Sequence, residues 1–431
     1  MRNYTSKILP IIKSQRTDAF PMDEDMILPN YQGLSLVNLP ATVCRLLDVP
    51  EFGQPPLDNA ILEALAGPYQ KIVVLLVDAL GMHLFDKMRQ SHHQLLWNCA
   101  FERAVYTPLT SICPSTTASA LTTLWTGQGA SAHGIVGYEM WAKEFGLIMN
   151  NILHSPSSAH GDAGGLVRSG FDPNTFLNPD LLGTHLVDHG IAATTFIHYS
   201  IAHSGLSTMQ MTDVNIRTYV DEADLCVSLA EYINSRPGVR EFIYVYYSDI
   251  DTLMHRFNAD NPRVELQFEA FTNLFEKAVI QSLSKEAAQD TLLVLTADHG
   301  SKTTPKYERF DLAHHPDLVE NLVMYPTCEH RLACMYIKPN KVGAVRDYFV
   351  RTWPDDFFLI DSGIALTCGL FGPAPHKENI QDRLGDLIVI GRGDAYLWWA
   401  PKPNLMAGRH GGLSDEEMLI PFFALPLKEV I

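Results

Sequence analysis

Three short apolar runs in this 431-residue sequence each end in an aspartate. In chain order the runs and their aspartates are 71–77 with Asp78, 242–250 with Asp251, and 291–297 with Asp298. A carboxylate at a strand end is a hard oxygen donor that suits a divalent cation. One such aspartate is an ordinary turn former, but three with histidine partners indicate a metal site.

Histidines accompany two of these aspartates. His299 directly follows Asp298 in the chain. His255 follows Asp251 by four residues, so a helical turn would place both side chains on one face. Taken alone, that pair is more often a helix-starting aspartate near an unrelated surface histidine. A third histidine, His410, precedes glycines that let the backbone approach closely. Oxygen and imidazole donors without sulfur favour Zn, Mn, Fe or Co over Ca.

A cluster of hydroxyl side chains, Ser115, Thr116 and Thr117, follows Pro114 and precedes alanine-rich helix formers. This pattern predicts the start of a helix. The unpaired backbone N–H groups and the dipole of a helix start attract phosphoryl oxygens, so a hydroxyl there could meet a phosphate. Judged on this segment alone, helix capping is the simpler interpretation of the three hydroxyls.

The apolar runs lack alternation, which is typical of strands buried on both faces of a parallel sheet. Between them, residues 262–282 have helical character. We therefore predict an α/β fold with a mostly parallel central sheet and helices on both faces. Ligands of such sheets sit at the carboxyl ends of the strands, which is where the three aspartates would converge.

The domain organisation is predicted from changes in the sequence pattern along the chain. Residues 1–40 are predicted to be an N-terminal arm, and residues 41–431 a catalytic domain. Within that domain, residues from about 327 to 403 have their own strand–helix–strand pattern. We predict that they form a small inserted α+β subdomain.

Composition narrows the range of partners. Lys and Arg number 32 against 49 Asp and Glu, and the resulting charge of −17 disfavours binding to a nucleic-acid duplex. A small phosphorylated substrate remains compatible, because bound cations reverse the local field. The sequence contains no run of about 18 apolar residues, so no membrane span is predicted. The seven scattered cysteines without CxxC pairs favour a reducing compartment, and we expect a cytoplasmic protein. Composition does not predict the oligomeric state.

The order and spacing of these motifs resemble the alkaline phosphatase superfamily, and most of all its nucleotide pyrophosphatase/phosphodiesterase and phosphonoacetate hydrolase branch. The resemblance runs from about Lys71 to the end of the sequence. In that superfamily the nucleophile lies ten residues before the glycine of a helix ending in Thr-Gly. That glycine is Gly127 here, so the resemblance implies Thr117 as the nucleophile.

The resemblance also implies how two divalent ions, Zn or else Mn or Fe, would be held. One ion would be bound by Asp251, His255 and His410. The other would be bound by Asp78, Asp298, His299 and the Thr117 oxygen.

Four positions near these motifs depart from the family pattern or leave a role open. Tyr138 stands where diesterase relatives use an asparagine to contact the phosphate, and its phenol can also donate a hydrogen bond. The residue after the nucleophile is Ala118, where nucleotide pyrophosphatases usually have an aromatic that packs on the base. Tyr246 and Tyr247 lie near a base-stacking aromatic of the family, but they could equally be strand-packing residues.

The leading functional hypothesis is therefore a two-metal phosphodiesterase or nucleotide pyrophosphatase that acts through a phospho-threonine. A phosphomonoesterase or phosphonate hydrolase of the same superfamily is the alternative, and a monoesterase would need a cation such as Arg409, Arg331 or Lys302. A sulfatase is disfavoured because the required Arg is absent, and a phosphoglycerate mutase because the nucleophile position is Thr. A metal-binding protein without turnover is the remote alternative.

Overall fold

The structure of the protein is a computed structural model that describes residues 2–91, 103–158, 162–177 and 180–431. Eight strands form its larger sheet: β1 (Arg2–Asn3), β2 (Lys71–Val77), β3 (Val105–Thr110), β7 (Ala192–His198), β8 (Asn215–Tyr219), β9 (Glu241–Tyr247), β10 (Thr291–Thr296) and β17 (Leu419–Pro426). Their order is β1-β3-β17-β10-β2-β9-β7-β8. The strands from β10 to β8 are parallel, whereas β17 runs antiparallel to its neighbours β3 and β10.

The centre of this sheet consists of the three runs that the sequence predicts as strands. Every residue of β2, β9 and β10 is buried. Successive side chains of a strand point to opposite faces, so burial of all of them means that both faces are covered. The predicted α/β class with a mostly parallel sheet is confirmed.

A second, seven-stranded sheet is antiparallel throughout, in the order β14-β15-β13-β12-β4-β5-β6. Its strands are β4 (Glu139–Ala142), β5 (Leu147–Asn150), β6 (Ser155–Pro156), β12 (Thr327–Glu329), β13 (Leu332–Met335), β14 (Phe357–Asp361) and β15 (Leu387–Gly391). Four of them come from residues 327–391 and three from residues 139–156. A short pair, β11 (Lys302–Thr303) and β16 (Gly408–Arg409), lies outside both sheets.

Helices connect the strands. In the first half of the chain they are α1 (Thr5–Ser14), α2 (Leu39–Leu46), α3 (Asn59–Leu65), α4 (Met82–Ser91), α5 (Thr117–Thr126), α6 (Ala130–His133), α7 (Gly165–Arg168), α8 (Pro173–Phe176), α9 (Leu182–Asp188) and α10 (Gly205–Gln210). In the second half they are α11 (Glu222–Asn234), α12 (Asp249–Phe257), α13 (Pro262–Ala278), α14 (Lys285–Ala288), α15 (Pro316–Val319), α16 (Val342–Thr352), α17 (Ser362–Thr367), α18 (Ile380–Leu384) and α19 (Asp415–Met418). The predicted helix beyond Pro262 is α13, which begins where the Asn261 side chain accepts a hydrogen bond from the Arg263 N–H.

The main hydrophobic core surrounds the larger sheet, and a smaller core lies in the second-sheet region around Phe310, Trp353 and Trp398. The predicted N-terminal arm contains β1 and α1, and Ile8 and Ile12 of α1 are buried in the main core. Within the described residues, no helix is both long enough and apolar enough to cross a bilayer.

Candidate active site and metal centre

The three aspartates lie beyond the carboxyl ends of three neighbouring strands. Asp78 directly follows β2, Asp298 lies two residues after β10, and Asp251 lies in the first turn of α12, which begins two residues after β9. Because β10, β2 and β9 are parallel neighbours, their carboxyl ends share one edge of the sheet. The structure therefore brings the predicted carboxylates to one place.

Asp78, Asp298, His299 and Thr117 form one group of possible ligands. The Nε2 atom of His299 lies 3.1 Å from the Thr117 hydroxyl oxygen. It also lies 3.4 Å from an Asp298 oxygen and 3.6 Å from an Asp78 oxygen. The Tyr246 hydroxyl donates a hydrogen bond to the other Asp78 oxygen.

A second group contains Asp251, His255 and His410. The His255 Nε2 atom lies 3.3 Å from an Asp251 oxygen, and the His410 Nε2 atom lies 3.8 Å from the other. The two Nε2 atoms are 3.2 Å apart. The ring of His299 stacks on that of His410 at 3.9 Å, so the two groups adjoin.

The three imidazoles are oriented to act as metal ligands. The Nδ1 atoms of His255, His299 and His410 each lie about 3 Å from a backbone carbonyl oxygen, those of Gly408, Gly300 and Ser115 respectively. A carbonyl oxygen can only accept, so each Nδ1 carries the proton and donates it. Each Nε2 then keeps a lone pair that faces the carboxylates, which is the arrangement found around metal-bound histidines.

The carboxylates also fit a cation. One oxygen of each aspartate, Asp78, Asp251 and Asp298, is buried and has no hydrogen-bond partner among the described residues. A buried anionic oxygen without a partner is costly unless a cation neutralises it. In the protein alone, burial raises the pKa of Asp78, and the neighbouring Asp298 and Asp251 raise it further. Burial likewise raises the pKa of Asp298.

The hydroxyls of Ser115, Thr116 and Thr117 point to three different partners, and none of these contacts caps α5. Ser115 donates to the Gly412 carbonyl at 2.7 Å, and Thr116 donates to Glu329 at 2.6 Å. The side chain of Thr116, the N-cap residue, makes no capping hydrogen bond to the helix. Only Thr117 of the three is partly exposed, and its hydroxyl faces His299. The capping interpretation therefore does not describe Thr117.

Tyr138 lies beside this segment. Its backbone N–H donates to the same Glu329 oxygen that accepts the Thr116 hydroxyl, at 2.8 Å, and its ring is 41% exposed. Ala118 is covered by a small apolar cluster with Ile135 and Leu206. The Ala118 side chain is therefore not available to pack against a substrate.

Tyr246 and Tyr247, the two tyrosines at the end of β9, are both buried. Tyr246 contacts Asp78 through its hydroxyl, whereas the Tyr247 ring stacks on Phe271 at 4.0 Å. Both rings belong to the interior of the protein, so neither is positioned to stack on a base.

Three cations near the motifs are engaged in contacts with the protein. Arg331 binds Glu417 through two hydrogen bonds, of 3.1 and 2.8 Å, and both side chains are buried. Arg409 is buried over the Tyr396 ring at 3.7 Å, and Lys302 pairs with Glu416.

Glu329 is a residue of the site that the sequence analysis did not identify. It is 8% exposed, and burial raises its pKa to about 8. The sequence contained a signal, because β12 is a short buried strand that ends in an acidic residue, as the aspartate-terminated runs do. That signal is weak unless it is known which loops pack against β12.

The fold and these ligand groups define a class of protein, the metal-dependent hydrolases of phosphate esters. A family model described as type I phosphodiesterase / nucleotide pyrophosphatase matches residues 72–413, and the chain belongs to this family. The resemblance and the enzyme class predicted from the sequence are both confirmed.

Solved structures of related fold support the assignment. Murine ectonucleotide pyrophosphatase/phosphodiesterase 5 is 16% identical, with a TM-score of 0.62, over 82% of this chain and 88% of that one. An inactive variant of the murine protein in complex with AMP has a TM-score of 0.61, with 15% identity over 83% of this chain and 88% of that one. Phosphonoacetate hydrolase from Sinorhizobium meliloti 1021, in complex with phosphonoacetate, is 15% identical over 82% and 89% of the two chains, with a TM-score of 0.56. No curated protein sequence matches the chain significantly.

Proposed function

We propose that this protein hydrolyses phosphodiesters with Thr117 as a covalent nucleophile. The observation that carries the proposal is the position of the Thr117 hydroxyl. It is partly exposed at the start of a ten-residue helix, and it adjoins His299 and two buried aspartates, each with one oxygen that has no hydrogen-bond partner among the described residues. A hydroxyl placed only to cap the helix would face the backbone N–H groups of α5 instead.

We assign two divalent ions to the two ligand groups. Asp251, His255 and His410 would hold one ion, and Asp78, Asp298, His299 and Thr117 the other. Mixed oxygen and nitrogen ligation suits Zn, Mn or Fe. When bound, two such ions would stabilise the charge on the attacking and leaving oxygens and lower the pKa of the threonine hydroxyl.

The residues of the chain would orient the reaction. The Thr117 hydroxyl would lose its proton to water as its oxygen forms a bond to phosphorus. The bond from phosphorus to the leaving alcohol breaks, and the alcohol oxygen takes a proton from water. The first backbone N–H groups of α5 lie beside the reacting oxygen, where they can bind phosphoryl oxygens. Tyr138 has the sequence position of the phosphate-contacting asparagine of diesterase relatives, and its phenol would donate a further hydrogen bond. Water then hydrolyses the phospho-threonine and restores the hydroxyl.

The charges around the site favour a diester over a monoester. A monoester dianion carries one charge more than a diester, and enzymes that prefer it supply extra cationic groups. The candidates for that role, Arg331, Arg409 and Lys302, are all engaged with protein groups. The neutral phenol of Tyr138 suits a monoanionic diester.

We expect kcat/KM for bis-p-nitrophenyl phosphate to exceed that for p-nitrophenyl phosphate by about tenfold or more, because Arg331, Arg409 and Lys302 are engaged with protein groups and not free for the dianion. Steady-state rates of p-nitrophenol release by the metal-loaded enzyme measure both constants. A nucleoside p-nitrophenyl phosphodiester serves as a third substrate, and phosphonoacetate, followed by phosphate release, tests the phosphonate alternative. A tenfold preference for the monoester or for phosphonoacetate would contradict the diesterase proposal.

We expect elemental analysis to find about two transition-metal ions per chain after reconstitution with excess Zn or Mn, because the ligands form two adjoining groups. The variant His255→Ala removes a ligand from one group only, and it should retain about one ion. His83→Ala is the matched control, because His83 is a partly exposed imidazole that pairs with Asp415 outside both groups. A wild-type content of one ion or fewer would contradict the two-ion assignment.

A further inference from the structure

Glu329 joins two loops of the site through one oxygen atom. Its Oε1 atom accepts a hydrogen bond of 2.6 Å from the Thr116 hydroxyl and one of 2.8 Å from the Tyr138 N–H. Thr116 directly precedes the proposed nucleophile. Among the residues that the structure describes, both hydrogen bonds of this carboxylate go to Oε1 and none goes to its other oxygen. One acceptor atom therefore sets the distance between the two loops.

The backbone around Glu329 packs closely against two neighbouring loops, and this packing fixes the position of the residue. A Cβ atom on Gly411, which has a φ of +106°, would lie 2.4 Å from the Glu329 Cβ. A Cβ atom on Gly137, with a φ of +110°, would lie 2.6 Å from the Cys328 Cα. Contacts this close exclude any side chain at the two glycines. The end of β12 is thus held between the loop before Tyr138 and the loop after His410.

We propose that Glu329 is a positioning residue, which uses Oε1 as a shared acceptor to hold the Thr117 hydroxyl and the Tyr138 side chain in register for reaction with the same phosphate. The inference rests on the functions proposed above for Thr117 and Tyr138. Glu329 belongs to the second sheet, whereas α5 follows a strand of the larger sheet. The second sheet would therefore contribute to catalysis by alignment, without contacting the phosphate.

The role requires an acceptor and does not require a negative charge. A glutamine at this position keeps a carbonyl oxygen that can accept both hydrogen bonds, and its amide nitrogen replaces the oxygen that accepts neither of them. An alanine leaves both donors without their acceptor and lets the two loops separate. A misplacement of about 1 Å between reacting groups costs on the order of a hundredfold in rate.

The experiment compares Glu329→Gln and Glu329→Ala as metal-loaded enzymes, with bis-p-nitrophenyl phosphate as the substrate. We expect Glu329→Gln to retain kcat within about threefold, and Glu329→Ala to lose roughly 10- to 100-fold in kcat with little change in KM. Metal content should stay at the wild-type value in both. If Glu329 only stabilised the fold, both variants would have a changed melting temperature. Their kcat values would then not differ from each other.

Thr116→Val tests the same contact from the other partner and leaves Glu329 in place. It should lower kcat less than Glu329→Ala does, because it breaks one of the two hydrogen bonds to Oε1. The double variant should be no slower than Glu329→Ala, because Glu329→Ala already breaks the bond that Thr116→Val removes. The matched control is Thr126→Val, which removes a buried hydroxyl that bonds the Thr122 carbonyl at the far end of the same helix. It should leave kcat unchanged.

Two results would overturn the inference: a Glu329→Ala enzyme with more than half of the wild-type kcat, or a Glu329→Gln enzyme as slow as Glu329→Ala. The second would make the ionisable proton of Glu329 the requirement, in place of its acceptor oxygen. Thr117→Ala, assayed in parallel, separates the two levels of the proposal. An active Thr117→Ala refutes the nucleophile itself, whereas an inactive Thr117→Ala beside an active Glu329→Ala refutes only the positioning role.

Discussion

Replacement of Thr117 by alanine is expected to lower kcat for bis-p-nitrophenyl phosphate by about three orders of magnitude or more, because it removes the proposed covalent nucleophile. The folded structure should change little. Among the described residues, the Thr117 hydroxyl forms a hydrogen bond with His299 alone and does not cap α5, so the helix loses no backbone partner. Loss of a true cap would instead cost about 1 kcal/mol of stability and leave turnover intact. Steady-state kinetics and thermal unfolding measured on the same preparation distinguish the two outcomes.

Thr117→Ser is the control for this variant, because it keeps a hydroxyl at the same position. It should retain far more activity than Thr117→Ala, and rapid quenching with a phosphorus-labelled substrate should detect label on the protein only in enzymes that carry a hydroxyl at residue 117. Residual turnover by Thr117→Ala above about a hundredth of the wild-type value would argue against a covalent threonine.

Replacement of Arg331 by methionine is expected to lower the free energy of unfolding by about 3–5 kcal/mol, because it leaves the Glu417 carboxylate buried without its cation. Both side chains of this pair are at most 1% exposed, and Glu417 also accepts hydrogen bonds from the Gly412 N–H and the Ser414 hydroxyl. Burial alone would raise the pKa of Glu417, but Arg331 and these donors hold it below the ordinary value. Denaturant unfolding at fixed metal concentration measures the change.

The pH dependence of this effect has a definite sign. A carboxyl whose pKa is lower in the folded protein than in the unfolded chain stabilises the fold above its unfolded pKa, which is about 4.3 for glutamate. That stabilisation disappears as the pH falls through the folded pKa, so the difference between wild type and Arg331→Met should shrink in acid. Arg309→Met is the matched control, because the Arg309–Asp356 pair is largely exposed on the arginine side and should contribute less than about 1 kcal/mol. An Arg331→Met protein as stable as that control would contradict the prediction.

The centre of the larger sheet was predictable from sequence because its strands are buried on both faces. The apolar runs from Lys71, Phe242 and Thr291 correspond to β2, β9 and β10, and each is followed by its predicted aspartate. A run of this kind can be recognised locally, since its residues all need the same environment. The helix beyond Pro262 was predictable for a similar reason, because an asparagine cap and a proline at the first turn precede its amphipathic pattern.

The second sheet was only partly predictable, since it combines strands that lie far apart in the chain. Residues 139–156 and 327–391 each contribute strands to it, and β4 pairs with β12 through Glu139 and Cys328. Nothing in either stretch alone indicates that pairing. The same long-range contact places Glu329 beside Thr116, and it explains why this residue of the site could not be identified from local spacing.

The side-chain partners of Arg331 and Arg409 likewise could not be predicted from the sequence. Both arginines flank motif residues, and each could have faced a phosphate. Their engagement with Glu417 and with the Tyr396 ring depends on burial that only the assembled fold provides. The proposed preference for a diester therefore rests mainly on contacts that the sequence does not reveal.

The position of β17 has a consequence for how the protein matures on the ribosome. This strand is later in the sequence than every other described strand, and yet it lies inside the larger sheet, between β3 and β10. Until it has been synthesised, β3 and β10 each present an unpaired edge, which is the kind of surface that chaperones protect from aggregation. His410 lies just before β17 in the chain. Closure of the sheet and arrival of His410 are thus both late events, so the proposed metal centre would be completed only near the end of synthesis, as the sheet closes.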